Sequence, residues 1–353
     1  MDIEENRKTV ATHISELRAS DETLKFHHDA LVFDCLSLYY VLDEPYAERI
    51  LKAGVNAVNV TISSESHGWD EGLRRFETAF EKIEANPNLV LASNSNDIIA
   101  AKNSGKLAII PGLQGSWMIG PDIYRVEILH RLGLRFFGPA YTGATVYCDG
   151  CGETRNAGLS YLGRELIECL NDLGMLVDLS HVGHQSRLEI AEKASHPVCT
   201  HSNSYFVNPN DRNTKDETAA IISSKGGVMG VCALPKSVAP DNPKLDHMLD
   251  HVDHYSTNFG HQNVGIGLDF VEAYKENYWA GQKDHKPPKW RVLRPDIFGS
   301  MEDFFYKPYP LGIESISLLP NLTQGLFDRG YNNEQVAGII GGNWFRKFKE
   351  VAG

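Results

Sequence analysis

The sequence predicts an α/β fold in which eight strands and their connecting helices form a (β/α)8 TIM-type barrel, with extra helices at both ends. Three observations support this prediction. The 353-residue chain contains eight short apolar runs, most of these runs are continuous rather than alternating, and helix-like segments separate most of them. Continuous apolar runs are typical of parallel strands that are buried on both faces. A doubly wound sheet is the competing fold, but no G-x-G-x-x-G follows the first strand.

The eight predicted strands are spaced along the first three quarters of the chain. They cover residues 30–35, 57–62, 107–114, 135–141, 175–181, 197–202, 227–233 and 264–270. Helical patterns follow six of them, over residues 46–54, 72–86, 122–133, 162–174, 186–194 and 215–227. Several of these helices end at a glycine, the residue that most readily adopts the left-handed conformation of a helix C-terminus. These glycines are Gly54, Gly133, Gly174 and Gly226.

We predict a single domain over residues 1–353, because no linker or internal repeat divides the chain. Residues 1–29 are predicted to form an N-terminal helical extension. Residues 271–353 are predicted to start with a long loop after the eighth strand, since residues 273–299 are polar, aromatic and contain proline. Two or three closing helices are expected within residues 316–351.

Composition and charge favour a small-molecule ligand. The formal net charge of −12 disfavours nucleic acid and anionic membranes as partners. No apolar run approaches the roughly 20 residues that a membrane span needs. The N-terminus is charged and lacks the apolar core of a signal peptide. We therefore expect a cytoplasmic protein.

Six predicted strands end in a polar side chain, and a barrel brings strand ends together on one rim. These residues are Asp34, Gln114, Tyr141, His181, His201 and Asp269. Imidazole is a good zinc ligand, so His181 and His201, on consecutive strands, are predicted to hold a metal ion. Asp269 is expected to bind metal or to take a proton from bound water. Gln114 suits substrate orientation, and Tyr141 either donates a hydrogen bond to a developing oxyanion or is a rim aromatic.

With these motifs the chain resembles the membrane (renal) dipeptidase family, a branch of the amidohydrolase superfamily. The resemblance extends from about Leu24 to Val351 and covers most of the sequence. Its most specific segments are GLSYLGRELIECLNDLGMLVDLSHVG (158–183), PVCTHSNS followed by DRNTKDE, VGIGLDF and the C-terminal PNLTQGLFDRGYNNEQVAGIIGGNWFRKFKEV. The resemblance implies a (β/α)8 barrel, a site for two zinc ions and hydrolysis of dipeptides.

The resemblance also implies roles for particular residues. His181 and His201 match the two histidines that hold one zinc ion. Arg212 matches the arginine that binds the free carboxylate of the substrate, although its local sequence alone would suit a surface salt bridge. Asp269 matches the aspartate that acts as general acid and base. Barrels of this family often pair, so a homodimer is a further expectation.

Three features differ from the family pattern. The first strand of the family ends in D-G-H-x-D, whose histidine and aspartate bind the other zinc ion, whereas this chain has DCLSL with Leu36 and Leu38 there. Gln114 replaces the glutamate that bridges both ions, and Tyr141 replaces a histidine that polarises the substrate. An amide supplies no charge to a metal. We therefore expect at most one ion per chain, zinc or another divalent metal.

Three functions stay open at this point. The first is a dipeptidase-like metallohydrolase with a reduced site, which cleaves an amide bond of a small carboxylate-bearing substrate. The second is a repurposed acid/base enzyme, metal-free or with one metal, such as a lyase, isomerase or tautomerase acting on a small carboxylate or zwitterion. The third is a non-catalytic binding protein. Chelation separates the first from a metal-free second, and substitution of Asp269 separates both from the third.

Overall fold

Parallel strands form the centre of the fold in the computed structural model, which describes residues 15–65, 67–272, 289–300 and 309–353. The strands are β1 (Phe33–Leu38), β2 (Ala57–Ser63), β3 (Leu89–Leu91), β4 (Leu107–Gln114), β5 (Phe136–Gly138), β6 (Leu176–Asp178), β7 (Pro197–Val198), β8 (Met229–Val231) and β9 (Val264–Ile266). They lie in the order β7-β6-β5-β4-β2-β1-β9-β8, and β3 pairs with β4 outside this path.

The barrel closes between β7 and β8. Cys199, just beyond β7, forms a parallel bridge with Met229. The Cys199 N–H donates to the Val228 carbonyl at 3.0 Å, and the Gly230 N–H donates to the Cys199 carbonyl at 2.7 Å. All eight predicted strands are present in this barrel, which confirms the predicted fold class. The short strand β3 is an addition to the predicted set.

Helices follow the strands around the barrel. They are α1 (Asp21–Asp29), α2 (Tyr46–Lys52), α3 (Trp69–Ala85), α4 (Ser95–Asn103), α5 (Arg125–Arg131), α6 (Tyr161–Asp172), α7 (His184–Lys193), α8 (Asp216–Ser224), α9 (Pro235–Val238), α10 (Leu245–Phe259), α11 (Lys289–Leu293), α12 (Pro295–Phe298), α13 (Leu319–Asp328), α14 (Asn333–Ala337) and α15 (Asn343–Ala352). The predicted helix stops are confirmed, since all four glycines have positive φ. None of the helices in the described residues is long and apolar enough to cross a membrane.

The two ends of the chain differ in part from the predictions. Helix α1 lies within the predicted N-terminal extension, but residues 15–20 are not helical, and residues 1–14 lie outside the described residues. The predicted loop over 273–299 also lies partly outside them. Its described part contains α11 and α12 rather than irregular loop, which corrects that prediction. The predicted closing helices are confirmed by α13, α14 and α15.

Helix α15 fills the N-terminal end of the barrel. Trp344 and Phe348 pack against Phe136 at ring distances of 6.2 and 6.3 Å. The Trp344 indole N–H donates to the Ile266 carbonyl at 3.0 Å. This apolar plug leaves the opposite end of the barrel, where the strands end, as the place for a polar site.

Several strands are shorter than predicted, because polar side chains end the ladders early. The strand predicted over 175–181 stops at Asp178, whose carboxylate accepts the Ser180 N–H at 3.0 Å and the Thr200 N–H at 2.9 Å. Asp34 similarly accepts the Leu268 N–H at 2.8 Å. Four of the predicted rim residues therefore follow the strands on short loops, namely Tyr141, His181, His201 and Asp269. Gln114 ends β4, and Asp34 lies within β1.

Candidate functional site

Two buried imidazoles meet at the C-terminal rim of the barrel. His181 follows β6 and His201 follows β7, and their Nε2 atoms lie 3.1 Å apart. Two nitrogen ligands that each lie about 2.0–2.1 Å from a tetrahedral zinc ion are roughly 3.3 Å apart. The predicted metal-binding histidines are thus brought together, with their Nε2 atoms at about the spacing of two ligands of one ion.

A buried relay behind His201 sets the tautomer of its ring. The Thr200 hydroxyl lies 2.6 Å from His201 Nδ1 and donates to Asp178 Oδ2 at 2.6 Å. Because this hydroxyl donates to the carboxylate, it accepts the Nδ1 proton, and His201 Nε2 keeps a free lone pair. A polar group that holds the distal nitrogen of a histidine is the usual support of a metal ligand. The sequence analysis did not identify Thr200 or Asp178 as site residues, although an acid inside the apolar run MLVDLSH was a signal for Asp178.

Replacing Thr200 with valine is expected to weaken metal binding about 10- to 100-fold, the usual effect of losing such a support. Valine keeps the shape of the buried side chain but cannot accept the Nδ1 proton. The dissociation constant for zinc, measured by competition with a chromophoric chelator, checks this. Thr218→Val, a buried threonine on α8, is the matched control and should bind zinc as the wild type does. Equal affinities of the two variants would contradict the role of the relay.

Gln114 ends β4 beside the imidazoles, with its amide nitrogen 3.2 Å from His201 Nε2. The opposite amide orientation would place Oε1 there instead. One ion therefore fits this group, with two imidazoles and one neutral oxygen as its protein ligands. On β1, the side chains of Leu36 and Leu38 offer no donor atom to an ion. Within the described ranges no group of three or more His, Cys, Asp or Glu side chains is arranged to hold a metal.

Arg212 lies beneath this rim and is completely buried. Its Nη1 donates to the Ser180 carbonyl, and its Nη2 donates to the His201 carbonyl at 2.9 Å. Its Nε has no partner in the described part of the chain. A buried unpaired donor is costly, so the guanidinium has an unused edge suited to a carboxylate. Burial contradicts the surface salt bridge that the local sequence would suit.

Asp269 lies three residues beyond β9 in a left-handed conformation, with φ of 57°. This conformation is uncommon for residues other than glycine, although aspartate and asparagine tolerate it best. Burial raises the pKa of Asp269 to about 6, while the cations Arg212 and Arg291 act in the opposite direction. Burial likewise raises the pKa of the neighbouring Asp34 to about 7. Asp269 is therefore a carboxyl group that can exchange protons near neutral pH.

Tyr141 lies three residues beyond β5 and covers one imidazole. Its ring stacks on His181 at a centroid distance of 4.0 Å and an interplanar angle of 24°. Burial raises the pKa of its hydroxyl above the ordinary value, so the group stays protonated. Tyr141 therefore lies beside the imidazole pair with a protonated hydroxyl, and its two predicted roles, hydrogen-bond donor and rim aromatic, both stay predictions.

A cap, which we define as residues 289–300, lies against the loops of the rim. Trp290 donates from its indole nitrogen to Glu65 at 2.6 Å. A Cβ on Gly143 or on Gly152 would approach this indole to 2.8 or 2.9 Å, so both glycines make room for it. Arg294 donates to the Gly152 carbonyl at 3.0 Å. The cap thus packs over the rim loops beside Tyr141, which belongs to the same apolar cluster as Trp290.

The fold and the composition of the rim place the chain among (β/α)8 barrels of the amidohydrolase type. A family model described as Membrane dipeptidase (Peptidase family M19) matches residues 24–282. The chain therefore belongs to the membrane dipeptidase family, which confirms the resemblance found in its sequence.

Individual relatives agree with this family. The chain is 26% identical over 266 residues to dipeptidase tcpJ of Claviceps purpurea, covering 74% of this chain and 55% of that protein. It is 26% identical over 294 residues to dipeptidase 3 of Mus musculus, covering 79% and 51%. The chain thus spans about half the length of these curated relatives.

Solved structures show the same barrel over almost the whole chain. An amidohydrolase from Pseudomonas aeruginosa superimposes with a TM-score of 0.80 at 27% identity, covering 94% of this chain and 99% of that one. A metallo peptidase from Rhodobacter sphaeroides, liganded with a phosphinate mimic of the dipeptide L-Ala-D-Ala, gives a TM-score of 0.72 at 20% identity. This match covers 92% of this chain and 99% of that one.

Proposed function

We propose that this protein is a dipeptidase-like hydrolase that cleaves an amide bond of a small substrate bearing a free carboxylate, at a site with at most one divalent metal ion. One observation carries the proposal. The buried guanidinium of Arg212 binds the His201 carbonyl through Nη2 and leaves Nε unpaired. A guanidinium suited to a carboxylate thus lies next to the imidazole pair, which supports a short substrate whose scissile bond lies between the two.

The side chains divide the chemistry between them. Arg212 binds and orients the substrate carboxylate through a two-pronged hydrogen bond. Tyr141 donates to the oxygen on which negative charge develops, and Gln114 orients the substrate from the neighbouring strand β4. Asp269 takes a proton from the attacking water and returns it to the leaving amine.

His181, His201 and Gln114 would hold the single ion. When bound there, a divalent metal supplies Lewis acidity to the scissile amide and favours ionisation of water near neutral pH. Leu36 and Leu38 support the limit of one ion, because neither side chain can act as a ligand.

Protein purified without a chelator or a histidine tag is expected to carry about one equivalent of zinc or another divalent metal. It is also expected to release amino acids from some dipeptides, and chelation should abolish that release. Elemental mass spectrometry measures the metal, and a panel of dipeptides with L- or D-residues at the C-terminal position tests hydrolysis. The double variant His181→Ala/His201→Ala is the control and should bind no metal. Metal well below stoichiometry after zinc has been supplied and excess removed would contradict the metal-dependent form of the hydrolase.

A second function is favoured by the direct hydrogen bond between the imidazoles and the relay to Asp178. Such a chain of groups can move protons without a metal. We therefore keep a lyase, isomerase or tautomerase acting on a small carboxylate as the second candidate. Turnover of a small carboxylate that survives chelation would favour this function over the hydrolase.

We propose further that the protein acts in the cytoplasm on small molecules and forms a homodimer, with neither nucleic acid nor membranes as partners. The net charge of −12 supports the exclusion of polyanionic partners. Sedimentation equilibrium of the full chain tests the dimer.

A further inference from the structure

Arg187, in the first turns of α7, is completely buried. Its five N–H groups all find oxygen acceptors, which are the carbonyls of Leu179, Ser180, Arg212 and Asn213 and the hydroxyl of Thr214. Most of these acceptors are backbone oxygens, and none is a carboxylate. A buried arginine usually faces an acid, so this one serves the backbone that surrounds it.

The acceptors of Arg187 belong to two segments that carry the site. Leu179 and Ser180 immediately precede His181. Arg212 and Asn213 belong to the loop that delivers the carboxylate-binding guanidinium. Arg187 holds the two segments together at distances of 2.6 to 3.3 Å.

The two guanidiniums share one acceptor. The Ser180 carbonyl accepts from Arg187 Nη2 at 3.2 Å and also from Arg212 Nη1. Arg187 additionally binds the carbonyl of Arg212 itself at 3.3 Å. Arg187 therefore constrains Arg212 in two places, at the backbone carbonyl of Arg212 and at the Ser180 carbonyl that the Arg212 side chain binds. The direction of the unpaired Nε follows from these two constraints.

The positive charge of Arg187 has a second consequence. Two buried cations donate to the same Ser180 carbonyl, and the hydrogen bonds of both within the described residues go to uncharged oxygens. Asp269 offsets part of their mutual repulsion, since Arg212 lowers its pKa, and an anion that enters beside the two guanidinium groups would offset it further. Arg187 cannot bind that anion directly, because its donors are already used, but its charge still attracts it.

We propose that Arg187 is a positioning residue that aims the free edge of Arg212 and so determines the preference for substrates with a free carboxylate. The inference rests on the proposed function, because it takes Arg212 as the group that binds the carboxylate. It assigns Arg187 no contact with substrate. If Arg187 only stabilised the fold, its substitution would lower the folding stability alone. If Arg187 positions Arg212, its substitution also weakens recognition of the substrate carboxylate.

The test compares a dipeptide that the wild type hydrolyses, such as L-alanyl-D-alanine, with its C-terminal amide. Arg187→Met is expected to raise KM for the free acid about tenfold with little change in kcat, because a misoriented Arg212 guanidinium binds the carboxylate more weakly. KM for the amide should barely change, so the acid-over-amide preference falls by the same factor. Arg187→Lys restores the charge but not the planar fork and should recover the preference only in part.

Arg135→Met is the matched control, because Arg135 also donates to two backbone carbonyls but lies at the opposite end of the barrel, before β5. It should lose stability without any change in preference. Calorimetric binding of N-acetyl-D-alanine and of its amide provides a second readout that does not need turnover. If Arg187→Met does not fold, Arg187→Lys decides the question by the same ratio.

The outcomes separate the two proposals. A folded Arg187 variant with the wild-type acid-over-amide preference overturns the positioning role while the hydrolase proposal stands. A wild type that binds the acid and its amide equally well overturns both, because Arg212 would then not bind the carboxylate. A wild type that prefers the acid in calorimetry but hydrolyses no dipeptide rejects the hydrolase alone, and the variants still test Arg187.

Discussion

Replacing Arg212 with methionine is expected to lower kcat/KM for a dipeptide about 30-fold or more. Losing one partner of a buried, charged hydrogen-bonded pair costs about 2–5 kcal/mol, and each 1.36 kcal/mol is a factor of ten in rate. The C-terminal amide of the same dipeptide never forms that pair, so its kcat/KM should change much less. Steady-state kinetics with the acid and the amide measures both effects.

Arg212→Lys separates the contribution of the bidentate hydrogen bond from that of the positive charge, since lysine keeps a cation but cannot bind a carboxylate bidentately. It should retain only part of the preference. Thermal unfolding must accompany both variants, because Arg212 also ties the carbonyls of Ser180 and His201. Equal losses for the acid and the amide would show that Arg212 supports the fold rather than the substrate.

The sequence predicted the barrel and the meeting of His181 with His201 because both follow from local signals. Buried parallel strands appear as continuous apolar runs, and polar residues at their ends must gather on one rim. The absence of ligands at Leu36 and Leu38 is equally visible in the sequence, because it depends only on residue type.

The supporting residues were not predictable in the same way. Arg187 lies in the short helix α7, whose sequence HQSRLEIAEK is mostly polar, and nothing in its neighbourhood distinguishes it from a solvated surface arginine. Its burial follows from the loop that folds over α7, which is a long-range contact. The hydrogen bonds that connect Asp178, Thr200 and His201 also depend on such contacts, as do the short helices of the cap. Sequence patterns encode periodicity, whereas these features depend on which segments meet.

The backbone of Asp269 was also hidden from the sequence and determines how it should be tested. Asparagine tolerates the left-handed conformation as well as aspartate does, whereas a bulkier or β-branched residue would add strain. Asp269→Asn therefore removes the ionisable group and keeps the turn. Alanine would change both together.

Asp269→Asn is expected to lower kcat about 10²- to 10⁴-fold, the range that general acid/base catalysis contributes, with little change in KM. In the wild type the carboxyl group is protonated below its pKa of about 6 and cannot accept a proton. As a base it gains activity as pH rises, so kcat/KM should rise through about pH 6 and then level off.

The pH profile also identifies the group that titrates. Arg212 and Arg291 both lower the pKa of Asp269. Arg212→Met should therefore move the acidic limb of the profile, the rise of kcat/KM near pH 6, to higher pH. Asp34, whose pKa burial raises to about 7, is the nearby carboxyl group that could be mistaken for the base. Asp34→Asn is the matched control and should keep the limb. A limb that survives Asp269→Asn but disappears with Asp34→Asn would assign the proton transfer to Asp34, and unchanged turnover in Asp269→Asn would reject an acid/base role for Asp269 altogether.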